Sequence, residues 1–191
     1  MHGWHRPFNV IQSSPGLIEL RHPELLDTRR HQRDDFDSGE PTLDQWLLRY
    51  AGQNRRGNTA ATWVIATEED VVVAYASLAM TGIDRSGAPR SVTKTAPDPV
   101  PALLIGRLAV DRRYAAHGIG TALVAHVLAT AVELNAKAAL RAVVVAALHD
   151  QSHSWWEHLG FTPFDPNDPR CLDLHLLTDD IEETLRSRTG R

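Results

Sequence analysis

A chain of 191 residues with 42% apolar and 23% charged side chains is long enough to bury one sizeable core, and its composition excludes a disordered or collagen-like polymer. The net charge of −4 argues against a uniformly basic nucleic-acid coat, and a single cysteine, Cys171, excludes an intramolecular disulfide or a thiolate metal cluster. No apolar run approaches the ~20 residues of a membrane span, and "MHGWHRPFNV" lacks the apolar core of a signal peptide, so a soluble cytoplasmic protein with no membrane partner is expected.

Residues 1–16 carry Pro7, Pro15 and Gly16 without hydrophobic periodicity and read as an arm. "GLIELR" fits a short strand, "PELLDTRR" has mixed helical signals, and "DDFDSGE" is a loop. In "SGEPTLDQWLLRYAGQNR", Pro41 suits a first helical turn, and Leu43, Trp46, Leu47 and Tyr50 share the core-facing side of the helix. Two β-rich runs, 61–67 and 71–80, flank an acidic turn and predict a hairpin. "TGIDRSGAPRSVTKTAPDPVP" is rich in Gly, Pro, Ser and Asp and reads as a long loop. A strand over 102–110, a helix over 118–134, a strand in "LRAVVVAAL", a short helix in "DQSHSWWEHLG" and a final strand in "CLDLHLLT" follow, giving a βαβαβ half. The polar end "DDIEETLRSRTGR" reads as a fraying helix. The whole predicts an α/β fold, a mixed sheet with helices on its faces, with the domain at 17–178 and a tail at 179–191.

Between the strand and helix of the third quarter lies "DRRYAAHGIG". A strand that empties into a glycine turn and then a helix is suited to phosphate binding. Residues His117, Gly118, Ile119, Gly120 and Thr121 would present unpaired backbone N–H groups, and the helix dipole adds about half a positive charge there. Gly118 and Gly120 lack the Cβ that would keep an anion away, while Arg112 and Arg113 would add attraction from the rim. A P-loop needs Lys then Ser or Thr after its last glycine; here Thr121 and Ala122 follow Gly120. A dinucleotide fingerprint needs a third glycine opening the helix, where this chain has Leu123 and Val124. A lone G-x-G serves ordinary turns about as often. The ten histidines are scattered, with no helical H-x-x-x-H pair beside acids, so no metal site is expected.

The order of these segments resembles the GNAT family, the Gcn5-related N-acetyltransferases, over roughly Leu17 to Leu177. The resemblance implies a GNAT fold with splayed strands, acetyl-CoA as acyl donor, backbone of Leu108, Ala109 and Val110 facing the pantetheine arm, and the diphosphate on the glycine loop. In the family's Q/R-x-x-G-x-G/A loop, Ala115 and Ala116 stand here for the usual Gln or Arg and the frequent glycine. "WWEHLGF" is similar to the end of the family's A-x-x-F-Y-x-x-x-G-F signature, with Trp156 where a tyrosine is usual. A narrower likeness, in "FDSGEPTLDQWLLRYAGQNRRGNTAATWVIA" and "IGRLAVDRRYAAHGIGTALVAHVL", is to GNAT toxins that acetylate the α-amino group of aminoacyl-tRNA. It implies a ribbon-helix-helix antitoxin, a homodimer, and Arg49, Arg55, Arg56, Arg107, Arg112 and Arg113 as tRNA phosphate contacts.

An indole N–H is a donor but not a useful general acid, so Trp156 removes the usual proton source for the departing thiolate. His149, His153 and His158 are nearest in sequence, and imidazole titrates in the useful range; His158 is the candidate substitute, although a surface role competes for each. Three functions remain open: a tRNA-acetylating toxin, a GNAT enzyme acting on another amine, and a catalytically silent acyl-CoA-binding module.

Overall fold

The computed structural model describes residues 11–13 and 16–189, so most of the arm assigned to 1–16 lies outside the described residues. Its described part is strand β1 (Ile11–Ser13), paired antiparallel with β2 (Gly16–Ile18). The remaining strands are β3 (Glu24–Leu25), β4 (Ala61–Ala66), β5 (Val72–Ile83), β6 (Val100–Val110), β7 (Ala142–Ala146), β8 (Thr162–Pro163) and β9 (Asp173–Leu177). The helices are α1 (Pro41–Arg49), α2 (Ala51–Arg56), α3 (Arg90–Thr93), α4 (Ile119–Ala138), α5 (Asp150–His158) and α6 (Thr178–Thr189). A mixed seven-stranded sheet has the order β3-β4-β5-β6-β7-β9-β8. The chain divides into two compact units, one formed by residues up to Ser77 with Arg107–Val124, the other by Leu78–Gly106 with Ala125 onward.

In the first unit, Pro41 opens α1, where its missing N–H is no loss, and Trp46 and Leu47 are buried. The helical run breaks at Tyr50, whose φ of −110° ends α1 and leads into α2. That break turns Tyr50 outward, 47% exposed, against the core position expected from periodicity. Phe36, Trp46, Leu47, Val64, Val72, Tyr75 and Ala109 form one apolar cluster. Each fully buried side chain of Leu or Val size stabilises the unit by roughly 1.5–3 kcal/mol. Trp46 stacks on Tyr75 with ring centroids 5.8 Å apart, and the Tyr75 hydroxyl donates to the Leu43 carbonyl at 2.8 Å. That bond satisfies the polar tip of a ring whose burial pushes its ionisation well above the usual phenol range. "PELLDTRR" yields the two-residue β3 against β4, with Leu25 opposite Trp63, followed by a turn instead of a helix.

In the second unit, β6 runs parallel to β7, joining 102–105 to 142–145. The hairpin strand β5 runs on to Ile83, and β6 begins at Val100, so the predicted long loop is shorter and contains α3. The last strand corrects the βαβαβ reading, because β9 is antiparallel to β7. The chain leaving α5 enters first as β8 at the sheet edge, then reverses, and β9 takes the place between β7 and β8. Strand β8 is two residues long, too short to leave a period in the sequence. The polar tail is also more than a frayed end. Ile181 is buried, Asn135 donates to Glu182 at 2.9 Å, and the Thr178 hydroxyl donates to the Leu140 carbonyl at 2.7 Å. Helix α4 is twenty residues long and apolar enough, by length and composition, to cross a membrane, although His126, Glu133, Asn135 and Lys137 interrupt its apolar run. Its Leu123, Val124, Val127 and Ala131 are buried in the fold.

Candidate functional site

Strand β6 leads into one turn of 3-10 helix at Arg112–Tyr114, and the chain then reaches α4 through Ala116 and Gly118, both with positive φ (+63° and +74°). Such backbone suits Gly118; at Ala116 it is strain that the surrounding turn holds in place. The first helical bond runs from the Ala122 N–H to the Gly118 carbonyl at 2.9 Å. Gly118 is therefore the cap, and the N–H groups of Ile119, Gly120 and Thr121 have no carbonyl one turn earlier to bond. His117, Gly118 and Thr121 are exposed, Gly120 is half-buried, and the Ile119 side chain is buried and anchors the turn. A Cβ built on Gly118 meets nothing within 4 Å, so the mouth of the helix opens to solvent, with room for an anion. The His117 ring nitrogen Nδ1 lies 3.2 Å from the Tyr114 carbonyl, which orients the imidazole at the same rim.

The sequence assigned Arg112 and Arg113 to this rim as added attraction for an anion, and both are engaged by acids. Arg112 pairs with Asp37, and its N–H donates to the Asp37 carbonyl at 2.9 Å. Arg113 clasps Asp111 through Nε at 2.9 Å and Nη2 at 2.6 Å, and reaches the Asp35 carbonyl at 2.9 Å. Asp111 is fully buried. It caps the 3-10 turn by accepting from the Arg113 N–H at 2.9 Å, and its other oxygen accepts from the Asp37 N–H at 3.3 Å. This carboxylate ties the glycine loop to a segment 74 residues earlier, a role sequence reasoning missed. The pattern Asp then Arg-Arg suggests a local cap; nothing local reveals Asp37.

Burial alone would raise the Asp111 carboxyl, but the Arg113 side chain and the two backbone N–H groups outweigh it and hold it below the usual range. Its stabilisation is therefore present above the unfolded carboxyl pKa of about 3.9 and is lost as pH falls through the lower folded value. Asp111→Ala is expected to lower the unfolding free energy by about 2–3 kcal/mol at neutral pH, since several hydrogen bonds to a charged acceptor vanish. Denaturant melts at pH 7 and pH 3 check this; an equal difference at both values would contradict it.

Leu108, Ala109 and Val110 lie at the end of β6, Ala109 buried and the other two half-buried. The parallel register with β7 stops at Ile105 opposite Val145, so β6 continues for five residues past the last of these pairs. This is the geometry in which one strand of a pair leaves backbone groups to a ligand. Preceding Leu108, Arg107 sets its guanidinium 4.6 Å over the Trp46 ring.

Trp156 is buried on α5, edge-on to Phe161 at 5.0 Å and to Trp155 at 4.8 Å. His158 is exposed at the last residue of α5. His149 is the helix cap: its ring Nδ1 accepts from the Ser152 N–H at 3.2 Å, while Ser152 Oγ accepts from the His149 N–H at 3.0 Å. His153 lies 3.4 Å from Glu157, one turn on. Among the described residues, no group of three or more His, Cys, Asp or Glu is placed to hold a metal ion.

The acetyltransferase (GNAT) family matches residues 25–161, a span that takes in β6, the glycine loop and α5 through Phe161. This chain belongs to the GNAT acetyltransferase family. It is an N-acetyltransferase by that membership, and its mixed seven-stranded sheet is the GNAT fold. A tRNA-acetylating toxin of Mycobacterium tuberculosis is 37% identical over 150 residues, 78% of this chain and 88% of that protein. The solved structure of AtaT complexed with acetyl-methionyl-tRNAfMet superposes with a TM-score of 0.78 at 26% identity, covering 87% of this chain and 99% of that one. The structure of AtaTR bound with acetyl-CoA has a TM-score of 0.74 at 24% identity, covering 87% and 98%, and shares the fold.

Proposed function

We propose that this GNAT acetyltransferase is a toxin that moves the acetyl group of acetyl-CoA to the α-amino group of aminoacyl-tRNA in the cytoplasm and is held in check by a small ribbon-helix-helix antitoxin. The observation that carries the reading is the 37% identity, over most of both chains, with a tRNA-acetylating toxin. Acetyl-CoA, when bound, supplies an acyl group activated as a thioester. The open N–H groups of Ile119, Gly120 and Thr121 at the α4 mouth fit its diphosphate, with His117 and Gly118 forming the rim. Backbone N–H groups of Leu108 to Val110 are suited to polarising the thioester carbonyl. An aminoacyl ester's α-amine is less basic than a lysine, so no strong protein base is required.

Trp156 packs in the core, and the exposed His158 two residues later is the candidate proton donor to the thiolate. With Arg112 and Arg113 engaged by acids, and the half-buried Arg107 held over the Trp46 ring, the tRNA phosphate contacts fall to Arg49, Arg55 and Arg56. All three are exposed, and none joins an ion pair with another described residue. Incubating the protein with acetyl-CoA and a charged-tRNA pool is expected to give N-acetyl-aminoacyl-tRNA by mass spectrometry; its absence would reject the reading.

A further inference from the structure

The second unit contains a cavity of about 420 Å³ that the mechanism above leaves without a role. Its floor is apolar: Ile83, Leu104, Val144 and Phe164 belong to one packed layer on the face of β5, β6 and β7. Its rim carries Asp84, Asp165 and Asp173, all exposed, and among the described residues no lysine or arginine lines it. Two of these acids are fixed by their own turns. Asp84 accepts from the Ser86 N–H at 2.8 Å, which holds it below the usual carboxylate range, and Asp165 accepts from the Asn167 N–H at 2.9 Å. The nearby Arg170 pairs with Asp168, outside the lining. The wall at Gly82 also depends on the sequence, since a Cβ there would stand 2.7 Å from Pro99.

Three features define the occupant. The volume lies at the small end of the ~300–1,000 Å³ typical of small-molecule sites, too small for a helix or a protein segment of any length. The charge is one-signed, which favours a cation and disfavours phosphate. The position is the end of the parallel ladder, because Val145 is its last paired residue and Ala146, next in the chain, lines the cavity too. We infer that this cavity receives the aminoacyl end of the acceptor, with an apolar amino-acid side chain on the floor of Leu104, Val144 and Phe164 and its ammonium group held by the rim carboxylates. The inference rests on acetyl transfer to an aminoacyl amine, and names the acceptor class as aminoacyl groups with apolar side chains.

The test is binding of small mimics to the full chain, followed by ligand-observed NMR. Leucinamide is expected to bind about tenfold more tightly than N-acetyl-leucinamide, which lacks the charge, and than the α-amide of aspartic acid, which repels the rim. Val144→Trp fills the floor and is expected to weaken leucinamide by about tenfold. Asp173→Asn, on the exposed rim where the fold is not at risk, is expected to weaken it by about threefold. Acetyl-CoA affinity should stay within about twofold in both variants, because neither touches the glycine loop. Equal binding of the three amides, or leucinamide binding unaltered in both variants, would overturn the assignment. If no charged tRNA is acetylated while leucinamide still binds with this selectivity, the tRNA reading fails and the cavity assignment stands. If charged tRNA is acetylated with no preference for apolar aminoacyl groups, the cavity assignment fails and the tRNA reading stands.

Discussion

Gly120→Glu is expected to weaken acetyl-CoA binding by about a hundredfold or more, the equivalent of roughly 3 kcal/mol, as read by calorimetric titration. The substitution separates binding from folding. Glutamate is a better helix former than glycine, and a negative charge in a first turn complements the helix dipole, so α4 should be no less stable. The same charge would stand where the diphosphate needs unpaired N–H groups, and would both repel the anion and fill the space left by the missing Cβ. Raising the salt concentration should restore part of the affinity by screening the repulsion. An unchanged dissociation constant in a folded variant would mean that the diphosphate is held elsewhere.

The second large effect concerns the proton that the leaving thiolate needs. Trp156→Tyr is expected to raise kcat by about tenfold to a hundredfold, up to the low end of the usual contribution of a positioned general acid, because a phenol can donate where an indole cannot. Trp156→Phe is the control, removing similar volume without adding a hydroxyl. It is expected to leave kcat within about threefold and to cost about 1–3 kcal/mol of stability, since the ring fills a buried site against Phe161 and Trp155. A new basic limb in the kcat profile should accompany the tyrosine alone. Equal rates for the two variants would show that position 156 does not face the departing sulfur.

The geometry of the glycine turn proposed to hold the donor was legible from local signals. A buried-looking strand, a glycine pair and an apolar helix in succession marked the turn at 117–121, because the orphan N–H groups of a helix start are a property of the local chain. The positive φ at Gly118 and the cap it provides follow the same local rule. The partners of Arg112 and Arg113 were not legible, for the opposite reason. Their sequence neighbours say nothing about Asp37 or the Asp35 carbonyl, which arrive from a segment far earlier in the chain and take up the charge. His149 was equally ambiguous until its capping box with Ser152 appeared.

By itself the sequence determined the α/β order of elements, the glycine loop at the start of α4, the GNAT resemblance and the replacement of the usual tyrosine by Trp156, all of which depend on residues close together in the chain. Tertiary structure alone decided the antiparallel insertion of β9 between β7 and β8, the burial of Asp111 and the cavity lined by Leu104, Val144, Phe164 and three aspartates. The physical reason is range. Propensity, caps and helix dipoles act within a turn or two, whereas strand order, charge pairing and the walls of a cavity are set by which distant segments the packed sheet brings together.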